Sequence, residues 1–370
     1  SNPIFSQEAA NGKKLIVIQL SGGNDGLNTL IPYEDDAYYR GRATIGIPPE
    51  ELLKISDYQG FNPAMKEIHE IYQNGEMAFL NSVGYPNPDR SHFRSMDIWH
   101  TGSNSDEYWD TGWLGRYLDH SCEGCAKPHE LIEVDNGLSL SLKGKENTGI
   151  ALTNPSQLFQ ATKDPWLDAL SDSHQSNNDE LDYLYKTLAD THNSAEYIHK
   201  QAKIYSSKTD YPKNLFGKQL KLISELICSG IETSVFYVSL SGFDTHVFQK
   251  PKHSRLLTAY SQGLGALVKD LKENNQLDNC LIMTFSEFGR RVEQNASNGT
   301  DHGKANNLYL VGGNLRKAGI YNAAPDLSKL DRGDVQWEID FRRVYADVLS
   351  NWLGTNDEAI LMRKFEPLGL

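Results

Sequence analysis

Carboxylate and imidazole side chains are concentrated in a few short polar clusters of this sequence. One cluster, GTDHG at 299–303, holds Asp301 and His302 between glycines. The others are SGGNDGLN at 21–28, NPDRSHF at 87–93, GFDTH at 242–246 and SEFGRR at 286–291. Because carboxylates and imidazoles are ligands of divalent cations, these clusters indicate a metal-assisted active site.

Apolar runs next to the clusters predict the buried strands that position them. The runs are LIVIQL at 15–20, MAFLNSV at 77–83, SVFYVSL at 234–240, CLIMTF at 280–285 and NLYLV at 307–311. In an open α/β sheet the strands are buried on both faces, and functional groups lie in the loops beyond their carboxyl ends. We therefore expect the clusters to meet at one edge of a sheet.

Segments with helical periodicity alternate with these runs. The spacing of apolar residues predicts helices over 62–75, 212–230 and about 253–274, and a further helix capped by Asp340. Residues 179–207 read as a polar helical pair. The alternation predicts an α/β fold with a mostly parallel central sheet, helices on both faces, and loop and helical insertions.

Length and composition limit the class of protein. The chain has 370 residues, of which 39% are hydrophobic, and this is enough for a large core. It has 36 basic and 49 acidic residues, and the formal charge of −13 argues against a nucleic-acid partner. No apolar run reaches the roughly 20 residues that span a bilayer, so no transmembrane segment is predicted.

Two segments, residues 1–13 and residues around 100–210, lack the regular pattern of the predicted strands and helices. We interpret residues 1–13 as a flexible leader and 14–370 as a single domain with insertions around 100–210. The leader is compatible with an export signal removed upstream, and so with a periplasmic or extracellular location. Cys122 and Cys125 form a CEGC pair that allows a small disulfide loop or two reduced thiols; a structural role is favoured.

Ser91 precedes a predicted helix and is the candidate nucleophile. A hydroxyl at this position commonly caps the helix. A helix N-terminus also stabilises anions and a serine alkoxide, especially where a divalent cation lowers the pKa of the hydroxyl. The neighbouring Arg90 and His92 suit a phosphate or sulfate group, since arginine offers a planar fork to oxyanions.

Two of the carboxylates have both a ligand role and a structural alternative. Asp25 lies in a glycine-flanked turn that an ion can approach closely, or it forms an Asx turn with Asn24. Glu287 follows a strongly apolar strand, where an unpaired carboxylate is costly to desolvate. It is either a metal ligand or the partner of Arg290 or Arg291 in an ion pair.

Asp244 and His246 are separated by one residue. If the strand continues through them, their side chains lie on the same side and can bind one ion. A buried hydrogen bond between the two side chains is the structural alternative. The joint position of all these clusters at strand ends favours one shared site.

Several motifs in order resemble the DUF1501 family, a bacterial group of uncertain function. They are GGNDGLNTLIPY, GYPNPDRSHF, GWLGR at 112–116, GFDTH, SEFGRRVEQN, GTDHG and DFRRVYADVL, and they cover nearly the whole chain. That family is more remotely similar to the alkaline phosphatase and sulfatase superfamily. Members of the superfamily use a serine, threonine or modified cysteine nucleophile together with one or two divalent metals.

The remote resemblance implies roles for individual residues. It implies Ser91 as the nucleophile, and Asp25, Asp244, His246 and His302 as metal ligands. The superfamily places more than one residue between the central Asp and His, whereas only a threonine separates them here.

A second departure concerns the metal. The Asp-His-Gly motif after the penultimate strand is replaced by Ser286-Glu287-Phe288-Gly289. Glu287 can replace an Asp ligand, but nothing there replaces the imidazole. We therefore expect one metal position to be vacant, oxygen-rich, or occupied by Ca²⁺ or Mg²⁺ rather than Zn²⁺.

The leading functional hypothesis is a metal-dependent hydrolase of phosphate or sulfate esters. Arg90, Arg116 or Arg290 would stabilise the ester oxygens, and Asn24 and Asp301 are further substrate-binding candidates. A small anionic ester or a sulfated or phosphorylated glycan is the expected substrate. The alternative is a catalytically degenerate protein that binds an anionic glycan or a protein partner. A metal-free serine esterase is disfavoured, since the sequence has no Gly-x-Ser-x-Gly elbow.

Overall fold

The computed structural model of the protein describes residues 12–121, 126–163 and 179–370. The predicted CEGC pair lies outside these residues. In the described residues the strands are β1 (Lys14–Ser21), β2 (Leu30–Pro32), β3 (Leu53–Lys54), β4 (Gln59–Phe61), β5 (Met77–Gly84), β6 (Leu131–Glu133), β7 (Ile150–Ala151), β8 (Val235–Ser241), β9 (Cys280–Phe285), β10 (Arg290–Gln294), β11 (Thr300–His302), β12 (Asn306–Val311), β13 (Gly319–Ile320), β14 (Leu330–Asp331), β15 (Asp334–Val335) and β16 (Ile339–Asp340).

The helices in the same residues are α1 (Asp36–Gly41), α2 (Lys66–Gln73), α3 (His92–Thr101), α4 (Trp113–Ser121), α5 (Pro155–Ala161), α6 (Asp179–Gln201), α7 (Leu215–Cys228), α8 (Gln249–Glu273), α9 (Phe341–Asp347) and α10 (Asp357–Leu361). A π-helical turn, Val348–Trp352, continues α9. Among the helices of the described residues, no segment has the length and apolar character that crossing a bilayer requires.

A mostly parallel sheet forms the centre of the fold, as predicted. Its strand order is β13-β5-β12-β9-β1-β8-β6-β7, and β16 also pairs with β5. The strands β8, β1 and β9 are parallel neighbours, whereas β12 runs antiparallel to both β9 and β5. A parallel return to the sheet needs a crossover, usually a helix. The segment between β9 and β12 contains the hairpin of β10 and β11 instead, so the chain returns antiparallel.

Both faces of the sheet are covered by apolar cores. Along β1, Ile16 and Ile18 point into one core, and Leu15 and Val17 point into the other, because successive side chains of a strand alternate. Helices α2, α7 and α8 contribute to the first core, and α3, α4 and α9 contribute to the second. The predicted layer of helices on each face is confirmed.

Two local predictions differ from the structure, and a third is confirmed. The polar helical pair predicted over 179–207 is wrong, because α6 is one helix, Asp179–Gln201, whose sequence has no Gly or Pro to end it. The helix predicted over 62–75 begins only at Lys66, since the Asn62 side chain accepts a hydrogen bond from the Ala64 amide in the preceding turn. Asp340 caps α9 as predicted, and it accepts a bond from the Arg342 amide at 3.0 Å.

The sheet brings the predicted clusters to one edge. Because β1, β8 and β9 are adjacent and parallel, their carboxyl ends lie side by side. The loops that follow them begin at Gly22, Gly242 and Ser286, and Arg290 of the β10–β11 hairpin donates to the Gly23 carbonyl in the first of these loops. These loops carry the polar residues described next.

Candidate metal centre

His92, Asp244 and His302 form a compact group at this edge of the sheet. Each offers one ligand atom, and these atoms lie within 4.8 Å of one another. His92 is the first residue of α3, Asp244 lies in the loop after β8, and His302 ends β11. Although Asp244 lies beyond the end of its strand, its side chain still meets that of His246.

Three imidazoles converge on a single carboxylate oxygen. The Nε2 atoms of His92, His246 and His302 lie 3.5, 3.0 and 3.3 Å from Oδ1 of Asp244. The Nε2 atoms of His246 and His302 are 2.9 Å apart. The arrangement thus points three ring nitrogens and one oxygen at a common region.

The other nitrogen of each ring is held by an oxygen acceptor. Nδ1 of His92 lies 2.9 Å from Oε1 of Glu287, Nδ1 of His246 lies 3.3 Å from Oδ1 of Asp301, and Nδ1 of His302 lies 2.8 Å from the Arg90 carbonyl. These contacts assign the proton of a neutral ring to Nδ1. Each Nε2 is then left with a lone pair, which is how metal-binding histidines are oriented.

The donor set fits a divalent cation. Nε2 of His92 is buried and forms no hydrogen bond within the described residues, which is unfavourable unless a cation or solvent meets it. Zinc bonds to histidine nitrogen are about 2.0–2.1 Å long, so ligand atoms around one tetrahedral ion are about 3.3 Å apart. The spacings of 2.9–3.5 Å around Asp244 are close to that value.

Asp244 is kept ionised by its surroundings. Burial would raise the pKa of Asp244, but the hydrogen bond from Arg290, the close approach of His302 and the charge of Arg290 outweigh it and lower the pKa to about 2. Arg290 donates to Oδ1 of Asp244 at 2.9 Å and also to the carbonyls of Gly23 and Thr300, so its guanidinium is fixed. Arg290 therefore positions the ligand loops and holds the charge of the carboxylate.

The surroundings of His92 and His302 shift the pKa values of the two imidazoles in opposite directions. The hydrogen bond to Glu287 raises the pKa of His92 against the effect of burial. Burial lowers the pKa of His302, with partial compensation from the Arg90 carbonyl. An imidazole must be neutral at the binding nitrogen to hold a metal, so the two rings differ in how readily they give up a proton.

Glycines of the first cluster allow the loops to approach each other. A Cβ on Gly22, whose φ is +119°, would lie 2.4 Å from the amide nitrogen of Asp244. A Cβ on Gly23 would lie 2.3 Å from the ring of Phe288. The Phe288 ring in turn packs on His92 and His302, with centroid distances of 4.8 and 4.6 Å. Because these glycines have no Cβ, the loops pack closely and the Phe288 ring contacts the imidazoles of His92 and His302.

Asp25 and Asn24 lie in a buried polar network rather than in the imidazole group. Both oxygens of Asp25 accept hydrogen bonds from the guanidinium of Arg42. Burial would raise the pKa of Asp25, but the charge and hydrogen bonds of Arg42 outweigh it and lower the pKa. Asn24 accepts a bond from Nε2 of His253 at 2.7 Å and donates to Thr29.

The arginines predicted to bind an ester are engaged in other contacts. Arg90 pairs with the buried Asp334. Arg116 donates to the carbonyls of Thr101, Thr111 and Ile360. Its contact with Thr101 places it at the far end of α3 from His92, roughly 15 Å away along ten helical residues. The structure does not bring Arg116 to the group.

Ser91 stands directly beside the group. It is exposed, it occupies the N-cap position of α3, and its hydroxyl forms no cap hydrogen bond. Its amide donates to Oδ1 of Asp89 at 2.6 Å. Because the residues on either side, Arg90 and His92, both contact the imidazole group, the backbone of Ser91 is held next to it.

Arg42, Gln249 and His253 are buried polar residues at the site that the sequence did not single out. His253 and Gln249 belong to α8, where they sit among apolar residues at helical spacing. A polar residue on the inward face of an amphipathic helix was the available signal for both. Arg42 carries no comparable signal, since it lies in a short loop after α1.

Comparison with known proteins places the chain in a family context. Residues 76–365 match the model of DUF1501, described as a protein of unknown function. No curated protein sequence matches the chain.

Solved structures with a similar fold were also found. The lipoteichoic acid synthase LtaP from Listeria monocytogenes is 10% identical, with 98% of this chain and 76% of that chain covered and a TM-score of 0.45. The sulfatase PsFucS1 from Pseudoalteromonas sp. is 14% identical, with 97% and 71% covered and a TM-score of 0.43. A protein in the alkaline phosphatase superfamily from Vibrio parahaemolyticus is 9% identical, with 95% and 69% covered and a TM-score of 0.39. All three TM-scores are below 0.5, and no role of these proteins is transferred to this chain.

Proposed function

The chain belongs to the DUF1501 family, and we propose that it is a metal-dependent hydrolase of phosphate or sulfate esters with Ser91 as nucleophile. The observation that carries the proposal is the convergence of three Nε2 atoms on Oδ1 of Asp244. In each imidazole Nδ1 meets an oxygen acceptor, so the rings are oriented as ligands.

His92, Asp244 and His302 would hold the ion, with His246 beside them. Two imidazole nitrogens and one carboxylate oxygen, with a third imidazole beside them, suit zinc or a similar transition metal better than Ca²⁺ or Mg²⁺, which prefer oxygen ligands. When bound, a divalent ion at this place supplies positive charge that lowers the pKa of a nearby hydroxyl and polarises an ester oxygen. Glu287 and Asp301 orient the ligands rather than bind the ion in this proposal.

In this proposal the Ser91 hydroxyl attacks the phosphorus or sulfur atom of an ester and displaces its alcohol. The first turn of α3 leaves backbone N–H groups without partners inside the helix, and these favour negative charge at its N-terminus. The same N-terminus would stabilise both the deprotonated hydroxyl and the oxygens of the transferred group. Water would then cleave the covalent intermediate on Ser91 and release the free acid.

The helix N-terminus takes over the role that the sequence assigned to arginines. Arg116 is at the opposite end of α3, and Arg290 already donates to backbone carbonyls and to Asp244. Neither guanidinium is free to turn toward a substrate without losing buried hydrogen bonds. Small anionic esters, or sulfated or phosphorylated glycans, are the proposed substrates, and a periplasmic or extracellular location is proposed for the protein.

Metal content provides the first test. Protein purified without chelator should contain a divalent ion by inductively coupled plasma mass spectrometry, and His302→Ala should lose it. The matched control is His69→Ala, since His69 lies on α2 and its ring hydrogen-bonds to the Lys54 carbonyl at 3.3 Å, away from the imidazole group. Equal metal content in His302→Ala and the control would contradict the ligand assignment.

Turnover provides the second test. The metal-loaded protein is incubated with a panel of aryl phosphates, phosphodiesters and sulfates, and Ser91→Ala is compared with Ser156→Ala. Ser156 also lies exposed in the first turn of a helix, α5, so it controls for a general effect of removing a hydroxyl there. Hydrolysis should be lost only in Ser91→Ala. Undiminished hydrolysis by Ser91→Ala would remove Ser91 from the nucleophile role.

A further inference from the structure

Asp25 is the residue to which the family resemblance gives the role of a first-strand metal ligand, and its side chain is fully buried. Its Oδ2 accepts from Nη1 of Arg42 at 2.5 Å, and its Oδ1 accepts from Nη2 at 3.0 Å. Oδ2 also accepts a hydrogen bond from Nε2 of Gln249. Both oxygens that would bind an ion are therefore occupied by protein donors.

Arg42 is built into this position. Beyond Asp25 it donates to Oδ1 of Asn28 at 2.8 Å and to the carbonyls of Val292 and Arg291, each at 2.9 Å. Arginine has five N–H donors, and each of them meets an acceptor here. Its side chain is as fully buried as that of Asp25, and guanidinium keeps its charge at any ordinary pH.

The occupied carboxylate lies directly behind the loops that carry the ligands. Oε1 of Gln249 accepts hydrogen bonds from the hydroxyls of Thr245 and Thr300, at 3.1 and 2.6 Å. Thr245 stands between Asp244 and His246, and Thr300 precedes the Asp301-His302 pair. Gln249 thus links the Asp25–Arg42 pair to both ligand loops.

A second ion at this place would have to displace Arg42. The displaced guanidinium would stay in a buried environment without its carboxylate, which is among the most unfavourable changes in a protein interior. The guanidinium already supplies a positive charge and paired donors to both oxygens of Asp25. A bound ion would therefore add little stabilisation of the Asp25 carboxylate beyond what Arg42 already provides.

We propose that Arg42 takes the place of a second cation, so that the centre holds one divalent ion bound by His92, Asp244 and His302. The inference rests on the metal centre of the proposed function and concerns its stoichiometry. In this arrangement Asp25 and Arg42 are positioning residues that act on the ligand loops through Gln249.

Metal stoichiometry tests the inference without reference to activity. Apoprotein is titrated with Mn²⁺ and examined by mass spectrometry under native conditions and by electron paramagnetic resonance, in which two neighbouring Mn²⁺ ions give an exchange-coupled spectrum. One ion per chain with an uncoupled spectrum is expected. Two ions per chain with a coupled spectrum would overturn the inference while leaving the metal centre intact. No ion at any Mn²⁺ or Zn²⁺ concentration would overturn the centre itself.

A double variant, Asp25→Asn with Arg42→Gln, removes both buried charges together and so avoids leaving one unpaired. It should still bind one ion, with a dissociation constant changed by less than about tenfold. Loss of a partner that directly orients a ligand typically weakens metal binding by about 10–100-fold. Loss of the ion from this variant, with native circular dichroism, would overturn the inference, because a pair that only positions the loops should not be required for binding. If the variant does not fold, the wild-type spectrum and anomalous scattering from Zn²⁺ in a crystal decide the number of ions.

Discussion

Glu287 offers a sharp test of the orienting contacts at the centre. Its side chain is fully buried, and Oε1 accepts from Nδ1 of His92 at 2.9 Å and from the Gly22 amide at 2.8 Å. Glu287→Gln keeps the volume and an acceptor oxygen but removes the negative charge. The bond to His92 then changes from a charge-assisted hydrogen bond to a neutral one.

The size of the effect follows from that change. Hydrogen bonds to charged groups contribute roughly 1.5–3 kcal/mol, and neutral ones roughly 0.5–1.5 kcal/mol. The loss is therefore about 1–1.5 kcal/mol, and since 1.4 kcal/mol is a factor of ten, metal affinity should fall about tenfold. This lies at the lower end of the 10–100-fold range for loss of such partners.

Competition with a fluorescent zinc chelator at constant pH measures the dissociation constant. The matched control is Glu133→Gln, because Glu133 is also a buried carboxylate that accepts a backbone hydrogen bond, from the Ser139 amide at 2.6 Å, but it touches no imidazole of the centre. The control should leave the affinity unchanged. An affinity of Glu287→Gln within twofold of the wild type, or equal losses in both variants, would refute the reasoning.

Three further predictions concern pH, packing and exposure. Burial raises the pKa of Glu133 to about 7, so between about pH 4.3 and 7 the folded chain keeps a proton that the unfolded chain releases. Stability of the apoprotein should fall as pH rises through this window, and Glu133→Gln should be more stable at pH 8 by up to about 3 kcal/mol and equal below pH 4, as measured by urea unfolding; a difference independent of pH would contradict this. Gly22→Ala should lower the melting temperature and weaken metal binding because its Cβ would meet the Asp244 loop, whereas Gly137→Ala, with nothing within 4 Å of its Cβ, should do neither. Asp301→Asn should weaken metal binding less than the substitution of the buried glutamate, because Asp301 is about half exposed and its charge is screened by solvent; an equal or larger loss in the chelator titration would count against this.

The fold was accessible from the sequence because buried strands are apolar on both faces. The run at 280–285 coincides with β9, and the run at 15–20 is β1 without one residue at each end. The ends of these runs also indicated which polar clusters would meet. That inference needs only the direction of the strands, and β8, β1 and β9 run in the same direction.

The division of roles within the site was not accessible in this way. From the sequence, Glu287 was either a metal ligand or an ion-pair partner of an arginine, and His92 was expected to bind a phosphate or sulfate group. Neither expectation indicated that Glu287 contacts the Nδ1 of His92, 195 positions away in the sequence. Ring orientation depends on such contacts, which no local pattern records. Arg42 illustrates the same limit, because a loop arginine is usually exposed and only the folded chain buries it against Asp25.

The hydrogen bond between His302 and the Arg90 carbonyl joins positions 212 residues apart in the sequence. At a synthesis rate of about 5–20 residues per second, roughly 10–40 s pass between the two leaving the ribosomal peptidyl transferase centre. For most of its synthesis, the nascent chain therefore lacks His302 and cannot bring the imidazoles together. At the proposed metal centre a cation would therefore bind only after β5, β8 and β11 have assembled, and it would stabilise a completed fold rather than direct its formation.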